Sequence, residues 1–515
     1  MNRRALLKNS GILLGTAGLL TACRQRSTIG PVGAPRRGGT LRIGMLGAGK
    51  SESFNPSTTT SAMINLARAA AVFNPLVEIA PDLSLRPSLA TAWHHDPTAT
   101  RWTFALRPGV TWHDGKPFTA DDVIHSLRWL SEPDNPLASS MANVDLKKTA
   151  KQDATTVVVA LKSPDLDLPR TIAGNSIIQD GVTTFGRPVG TGPFVFDSFT
   201  PGQRSVCRRN PRYWSPGRPY LDELVISSID DETARVNALL GGQIDVVCQM
   251  PYPQARAYQK SGAIRLLNSP SPAAHGFYMA VDAKPFDDVR VRQALRLLAD
   301  RRQLVDVALY GFGAVGNDVF GSGLPYFDSG LPQRGRDVGK AKELLSAAGH
   351  GAGLTLTLET AAAAPGMVEA ATLFAEQVKD AGVTIEVVQV DSASYFDPTV
   401  QYLRRPFGQT FWSGMTSLAG FYQFAVLPDG AGNETHWNDE RTAGLYQQAV
   451  AAADPGQAAR AWRAIQQEQW DNGGYIWWGS ADNVDAVSAR VGGITPSRYM
   501  SLGLPGSLVE SYVTT

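Results

Sequence analysis

Several groupings in this 515-residue chain have the residue types and spacing that chemistry uses. Gly44-Met45-Leu46-Gly47-Ala48-Gly49-Lys50-Ser51 fits the G-x-x-x-x-G-K-[ST] pattern of a phosphate-cradling loop and follows a strand-like Thr40-Leu41-Arg42-Ile43. Such a loop works only where a helix begins at its Lys, so that free N–H groups and the helix dipole face the anion. Here Pro56 and a Thr-rich run oppose a helix, and nucleotide binding is not expected. The seven histidines are scattered. His94 and His95 are adjacent, so a strand would turn them to opposite faces. His113, His125, His275, His350 and His436 lack the i, i+4 spacing or Cys partners of a zinc site. No metal site is expected from the protein's own side chains, although a metal carried by a chelating ligand needs only one His. Asp121-Asp122 and Asp230-Asp231 stand at helix starts, where the dipole accounts for them. No G-x-S-x-G elbow is present, so no catalytic residue is nominated and no cofactor is expected.

Cys23 has a different setting. Asn2-Arg3-Arg4-Ala5-Leu6-Leu7-Lys8 is basic and carries a twin-arginine pattern, an apolar run follows from Gly11 to Leu20, and Leu20-Thr21-Ala22-Cys23 closes it. That order reads as an export signal over residues 1–22 with Cys23 first in the mature chain. It resembles a bacterial lipoprotein signal, which implies lipidation of Cys23 and attachment to the cell membrane outside the cytoplasm. The apolar run is too short for a stable span of about 30 Å. Cys207 and Cys248 lie in strand-like segments, and both a disulfide and two buried thiols stay open.

These residues need a frame to position them. The length implies two or three domains, and 43% hydrophobic with 18% charged residues describes a globular chain. A net charge of +1 argues against nucleic acid or an anionic surface as main partner. Residues 23–37 read as a flexible tether, rich in Pro, Gly and Arg. Beyond it, helix–Gly–strand units recur. Thr119 with Asp122 forms a capping-box signature, and Asp230-Asp231-Glu232 opens a helix closed by Gly241-Gly242. Asp337 opens one ended by Gly349, and the run from Val368 to Asp380 ends at Gly382 before a β-branched stretch. This alternation indicates a layered α/β protein.

Longer blocks then carry a resemblance. They are Pro87-Ser88-Leu89-Ala90-Thr91-Ala92-Trp93, Trp102 to Val110, and Trp112-His113-Asp114-Gly115-Lys116-Pro117-Phe118-Thr119-Ala120-Asp121-Asp122-Val123. Gly190-Thr191-Gly192-Pro193-Phe194, Asn210-Pro211-Arg212-Tyr213-Trp214, Gly242-Gln243-Ile244-Asp245 and Phe286 to Leu295 with Asp300-Arg301 continue the series. In order and spacing they resemble the peptide/nickel class of solute-binding proteins that serve ABC importers. The blocks themselves are turns and capped helices, mainly structural.

The resemblance implies a periplasmic-binding-protein type II-like fold: two lobes around a ligand cleft plus an inserted domain. Lobe I would take residues 38–75, 190–277 and 484–515, the inserted domain 76–189 and lobe II 278–483, with a hinge near Phe277-Tyr278-Met279. It implies capture of a peptide or peptide-like solute by a monomer that delivers it to a permease, without catalysis. A nickel-chelate or haem carrier and a signalling-peptide sensor are the alternatives. The family's W-x-x-D segment corresponds to Trp412-Ser413-Gly414-Met415, with Met415 where the ammonium-pairing Asp would stand. A buried ammonium there would lack its partner at a cost of several kcal/mol, which favours a ligand less cationic at that point, such as a capped or cyclic peptide, a glycoside or a chelate. The opposing wall is expected from Ser53 and Phe54. Glu52 offers a substitute charge, with an exposed loop carboxylate the plainer reading. Tyr278 and His436 complete the expected lining, and Trp412 is the residue expected to touch ligand.

Overall fold

The computed structural model describes residues 33–47, 49–57, 63–392, 394–399 and 401–514. The expected signal and Cys23 lie outside the described residues.

Three large sheets organise the chain. The first runs in the order Arg265–Ser269, Asn483–Val487, Val246–Val247, Thr40–Met45, Glu223–Ser228, Arg204–Arg209, Phe194–Thr200. Thr40–Met45 pairs in parallel with a neighbour on each side, which suits a central strand whose Leu41 and Ile43 are fully buried. The second sheet runs Gly313–Val315, Tyr475–Ala481, Ala274–Met279, Phe407–Trp412, Leu354–Thr360, Val383–Gln389. The third is antiparallel: Ala90–His95, Arg101–Leu106, Thr156–Ala160, Ala150–Asp153. Two lobes and an inserted domain result.

The capping signals at Asp231 and Asp337 act as read, each accepting a backbone N–H of its own first turn, and the structure adds Asp288 and Asp300 as caps of the same kind. Asp122 accepts the Thr119 N–H at 2.7 Å in a capping box. Gly242, Gly349 and Gly382 take left-handed φ values after their helices. Arg301, one residue past its cap, is buried and donates to both oxygens of Asp318 at 2.7 and 2.8 Å.

The chain passes between the first two sheets twice. One crossing lies between Ser269 and Ala274, the other at Asp482 between Ala481 and Asn483. They run side by side: Asn268 donates to Asp482 at 3.0 Å and the Ala481 N–H to the Ala273 carbonyl at 2.9 Å. The expected hinge at Phe277-Tyr278-Met279 is displaced. Those residues are wholly buried and paired on both flanks by Phe407–Trp412 and Tyr475–Ala481. An apolar run of this kind belongs inside a sheet, whereas Pro270 and Pro272 lack ladder donors and release the chain earlier.

Two of the sequence blocks form one clasp. The Trp112-to-Pro117 turn sets His113 against the Gly190-Thr191-Gly192 segment. The His113 N–H donates to the Gly190 carbonyl at 2.8 Å, its Nε2 donates to the Gly192 carbonyl at 3.0 Å, and its Nδ1 accepts the Gly190 N–H at 3.3 Å. Burial lowers the His113 pKa and keeps the ring neutral for this pattern. Gly192 also donates to the Val72 carbonyl at 2.8 Å. A Cβ on Gly190 would fall 1.8 Å from that carbonyl oxygen, so only glycine fits. The inserted domain is thereby fastened to the first lobe.

Cys207 and Cys248 are both buried and unbridged. Their strand segments are separated by Thr40–Met45 and Glu223–Ser228, three strand spacings or about 14 Å, beyond disulfide reach. Burial pushes the Cys207 thiol up to about 12 and raises Cys248 as well.

Candidate ligand cleft

A cleft of about 740 Å³ opens where both lobes and the inserted domain meet. The first wall is one helix face. Along Met63–Val72, Ile64, Ala67, Arg68 and Ala71 are buried, while Leu66, Ala69, Ala70 and then Phe73 recur at helical spacing toward the cleft. Alanines on that stripe leave room that larger side chains would fill. Pro56 joins this wall, and Leu137, Thr171 and Asn175 come from the inserted domain. The second lobe supplies Ser413 to Ser417, directly after the strand Phe407–Trp412, and then Gln423, Phe424 and Asp429. Tyr499, Met500 and Leu504 close the rim.

The expected site residues divide. Ser413, Gly414 and Met415 line the cleft. Trp412 does not; its ring meets Phe421 and Phe424 edge-on at 5.8 and 5.5 Å and backs the wall that Phe424 presents. Phe54 is wedged between Phe196 and Phe199, both at 5.3 Å, and is buried. Ser53 donates its backbone N–H to Asn65 and lies outside the lining. Tyr278 is fully buried within its sheet. His436 is also outside the lining: its Nε2 donates to the Leu403 carbonyl at 2.6 Å and Nδ1 stands 2.8 Å from Asp282. Both ring nitrogens are engaged, and no His is among the described lining residues. Among the described residues no group of three potential metal ligands occurs.

Glu52 is not an exposed loop carboxylate. It is buried, 2.9 Å from Arg68 Nη1, and accepts the Gly202 N–H at 2.9 Å. Its charge is committed to a buried guanidinium and is not available to a ligand. The phosphate-loop look-alike fails for a local reason: Gly49–Ser51 is a single 3₁₀ turn, and the next helix begins at Met63. The Gly47 N–H, which would face a phosphate, donates to Asp230.

Behind the wall, Glu434 is fully buried. The hydroxyls of Tyr402 and Thr410 donate to its Oε1, the latter at 2.8 Å, and burial pushes its carboxyl up to about 8. Sequence reading missed Phe424 and Asp429, because the helix Leu418–Ala425 and its following loop carry no motif. Only the long-range fold brings them to the cleft.

A family model described as bacterial extracellular solute-binding proteins, family 5 (middle) matches residues 84–426, most of the chain. The chain belongs to this family. Among family 5 relatives, the glutathione-binding protein GsiB of Escherichia coli K12 is 26% identical over 430 residues, covering 80% of this chain and 84% of its own length. The solved structure of CtaP, an ABC transporter substrate-binding protein of Listeria monocytogenes, superposes with a TM-score of 0.83 at 24% identity. It covers 93% of this chain and 100% of its own. AppA of Bacillus subtilis, an oligopeptide-binding protein solved with a nonapeptide, gives 0.75 at 21% identity over 94% of this chain and 100% of its own. Family 5 proteins act outside the cytoplasm as the binding components of ABC importers. Among the described residues no helix is long and apolar enough to cross a membrane.

Proposed function

We propose that this protein captures a short peptide or peptide-like solute by closing its two lobes over the cleft, and presents the closed form to an ABC permease. One observation carries the reading: the cleft lies where the lobes meet, and among the described residues two neighbouring chain crossings join their sheets. That arrangement suits rotation about one line with ligand enclosed between. A volume of about 740 Å³ falls within the usual range for ligands the size of a drug or tripeptide. The glutathione and nonapeptide named for the relatives belong to the same peptide class. Micromolar affinity, about −8 kcal/mol, suffices when closure gathers many modest contacts. The protein acts as a monomer without altering its ligand, held at the membrane through lipid on Cys23. In this proposal lobe I takes residues 38–75, 190–273 and 484–515, its boundary set at the crossing before Ala274, with 76–189 inserted.

Small-angle scattering of protein stripped of ligand by partial unfolding and refolding tests this. Addition of a tripeptide mixture is expected to reduce the radius of gyration, with the peptides recovered intact by mass spectrometry. Unchanged curves at saturation, or peptides consumed over time, would refute it.

A further inference from the structure

The charge of the cleft has one sign. Among its described lining residues, Asp429 is the one carboxylate, and no Lys, Arg or His joins it. Tyr499, pushed up to about 12 by burial, stays neutral. The loop that carries Asp429 is held tightly. The Gly430 N–H donates to the Leu427 carbonyl and the Gly432 N–H to the Phe424 carbonyl, both at 2.9 Å. Asn433 reaches back to the Leu427 carbonyl at 3.2 Å. A Cβ at Gly430 or Gly432 would come within 2.4 Å of Phe424, so the loop lies flat on that residue. The Asp429 side chain is exposed and makes no hydrogen bond or ion pair among the described residues. Beside it in sequence and in the wall, Phe424 is 39% exposed, among the most open large apolar side chains of the described residues.

A loop pinned by its backbone thus carries an unpaired carboxylate in the same cleft wall as an open aromatic side chain, inside a concave site whose other lining residues are apolar or uncharged polar. We propose that Asp429 is the charge anchor of the cleft and selects ligands with a single positive group at one end of an apolar body, against neutral and anionic analogues. This rests on the capture function above and names its ligand class. The cation finds a carboxylate in front of it and an aromatic ring at its side, both of which favour it. An anionic ligand meets a like charge and no compensating cation, which disfavours it on entry and in the closed state. The vacancy that Met415 leaves at the family's acidic position is therefore answered from another loop, and the cationic end of the ligand lies on the Phe424 side.

The test is calorimetric titration with three probes of one body: Leu-Leu-Leu amide (cationic), N-acetyl-Leu-Leu-Leu amide (neutral) and N-acetyl-Leu-Leu-Leu (anionic). The expected order is cationic, neutral, anionic, with the first about tenfold tighter than the second, the factor that 1.4 kcal/mol carries. Asp429→Asn is expected to bring the cationic probe to the neutral probe's affinity and leave the neutral probe unchanged, while Asp429→Glu retains the preference. Equal binding of all three probes, or a cationic preference that survives Asp429→Asn, overturns the anchor and leaves the capture function standing. Failure of every probe to bind overturns the capture function and the anchor with it.

Discussion

Glu434→Gln isolates one buried carboxyl by its pH signature. In the fold Glu434 has a pKa of about 8, against 4.5 for an unburied Glu. Between these values the folded chain keeps a proton that the unfolded chain has released. The unfolded state binds fewer protons, so stability falls as pH rises through this window. The slope is about 1.4 kcal/mol per pH unit and flattens near pH 8, so about 2 kcal/mol is lost between pH 6 and pH 8. Gln cannot ionise, and it still offers an amide oxygen to the Tyr402 and Thr410 hydroxyls that now bond Oε1. Oε2, without a partner among the described residues, becomes the amide nitrogen. Urea unfolding at pH 6 and pH 8 is the assay. The native chain is expected to lose about 2 kcal/mol more than the Gln variant across that interval. Asp485, raised to about 6 by burial, has nearly completed its effect below this window and acts on both proteins alike. Equal losses in the two proteins, or a native chain that gains stability on the variant as pH rises, would refute the assignment of a protonated, buried Glu434.

Two further outcomes are expected. Gly190→Ala drives a methyl into the Val72 carbonyl and parts the His113 clasp. It should cost about 3 kcal/mol and lower the calorimetric midpoint by about 3 °C, so an unchanged midpoint would count against the clasp. Cys23→Ala, expressed as the full chain, should move the protein from the detergent-extracted membrane fraction to the soluble exported fraction. Continued membrane recovery would exclude lipid on Cys23 as the tether.

Much of the frame was legible because its signals are local. An Asp that caps a helix and a Gly that ends one act within a few residues, and Asp231, Asp337 and Gly382 behave as their neighbours in sequence dictate. The hinge was misplaced by a few residues because Phe277 to Met279 is an apolar run, and periodicity alone does not separate a central strand from a crossing one. The cleft was less legible. Ser413 to Met415 follow a recognisable strand end, but Asp429 reaches the same wall only after the helix Leu418–Ala425 turns the chain back. Glu52 and Phe54 were misread for the same cause. Their partners Arg68, Gly202, Phe196 and Phe199 lie on other elements, and burial set by distant segments has no local trace.

The His113 clasp decides how the machine is divided. In the proposed closure, the inserted domain, pinned to the first lobe, would travel with it as one jaw, and the other jaw would turn about the paired strands. Reporter dyes placed on Ala92 and Arg204 should keep a constant separation whatever the ligand, whereas a dye on Lys342 should approach either of them. A permease that senses the loaded form then needs only to gauge one angle, and its footprint can sit on rigid ground to either side of the mouth.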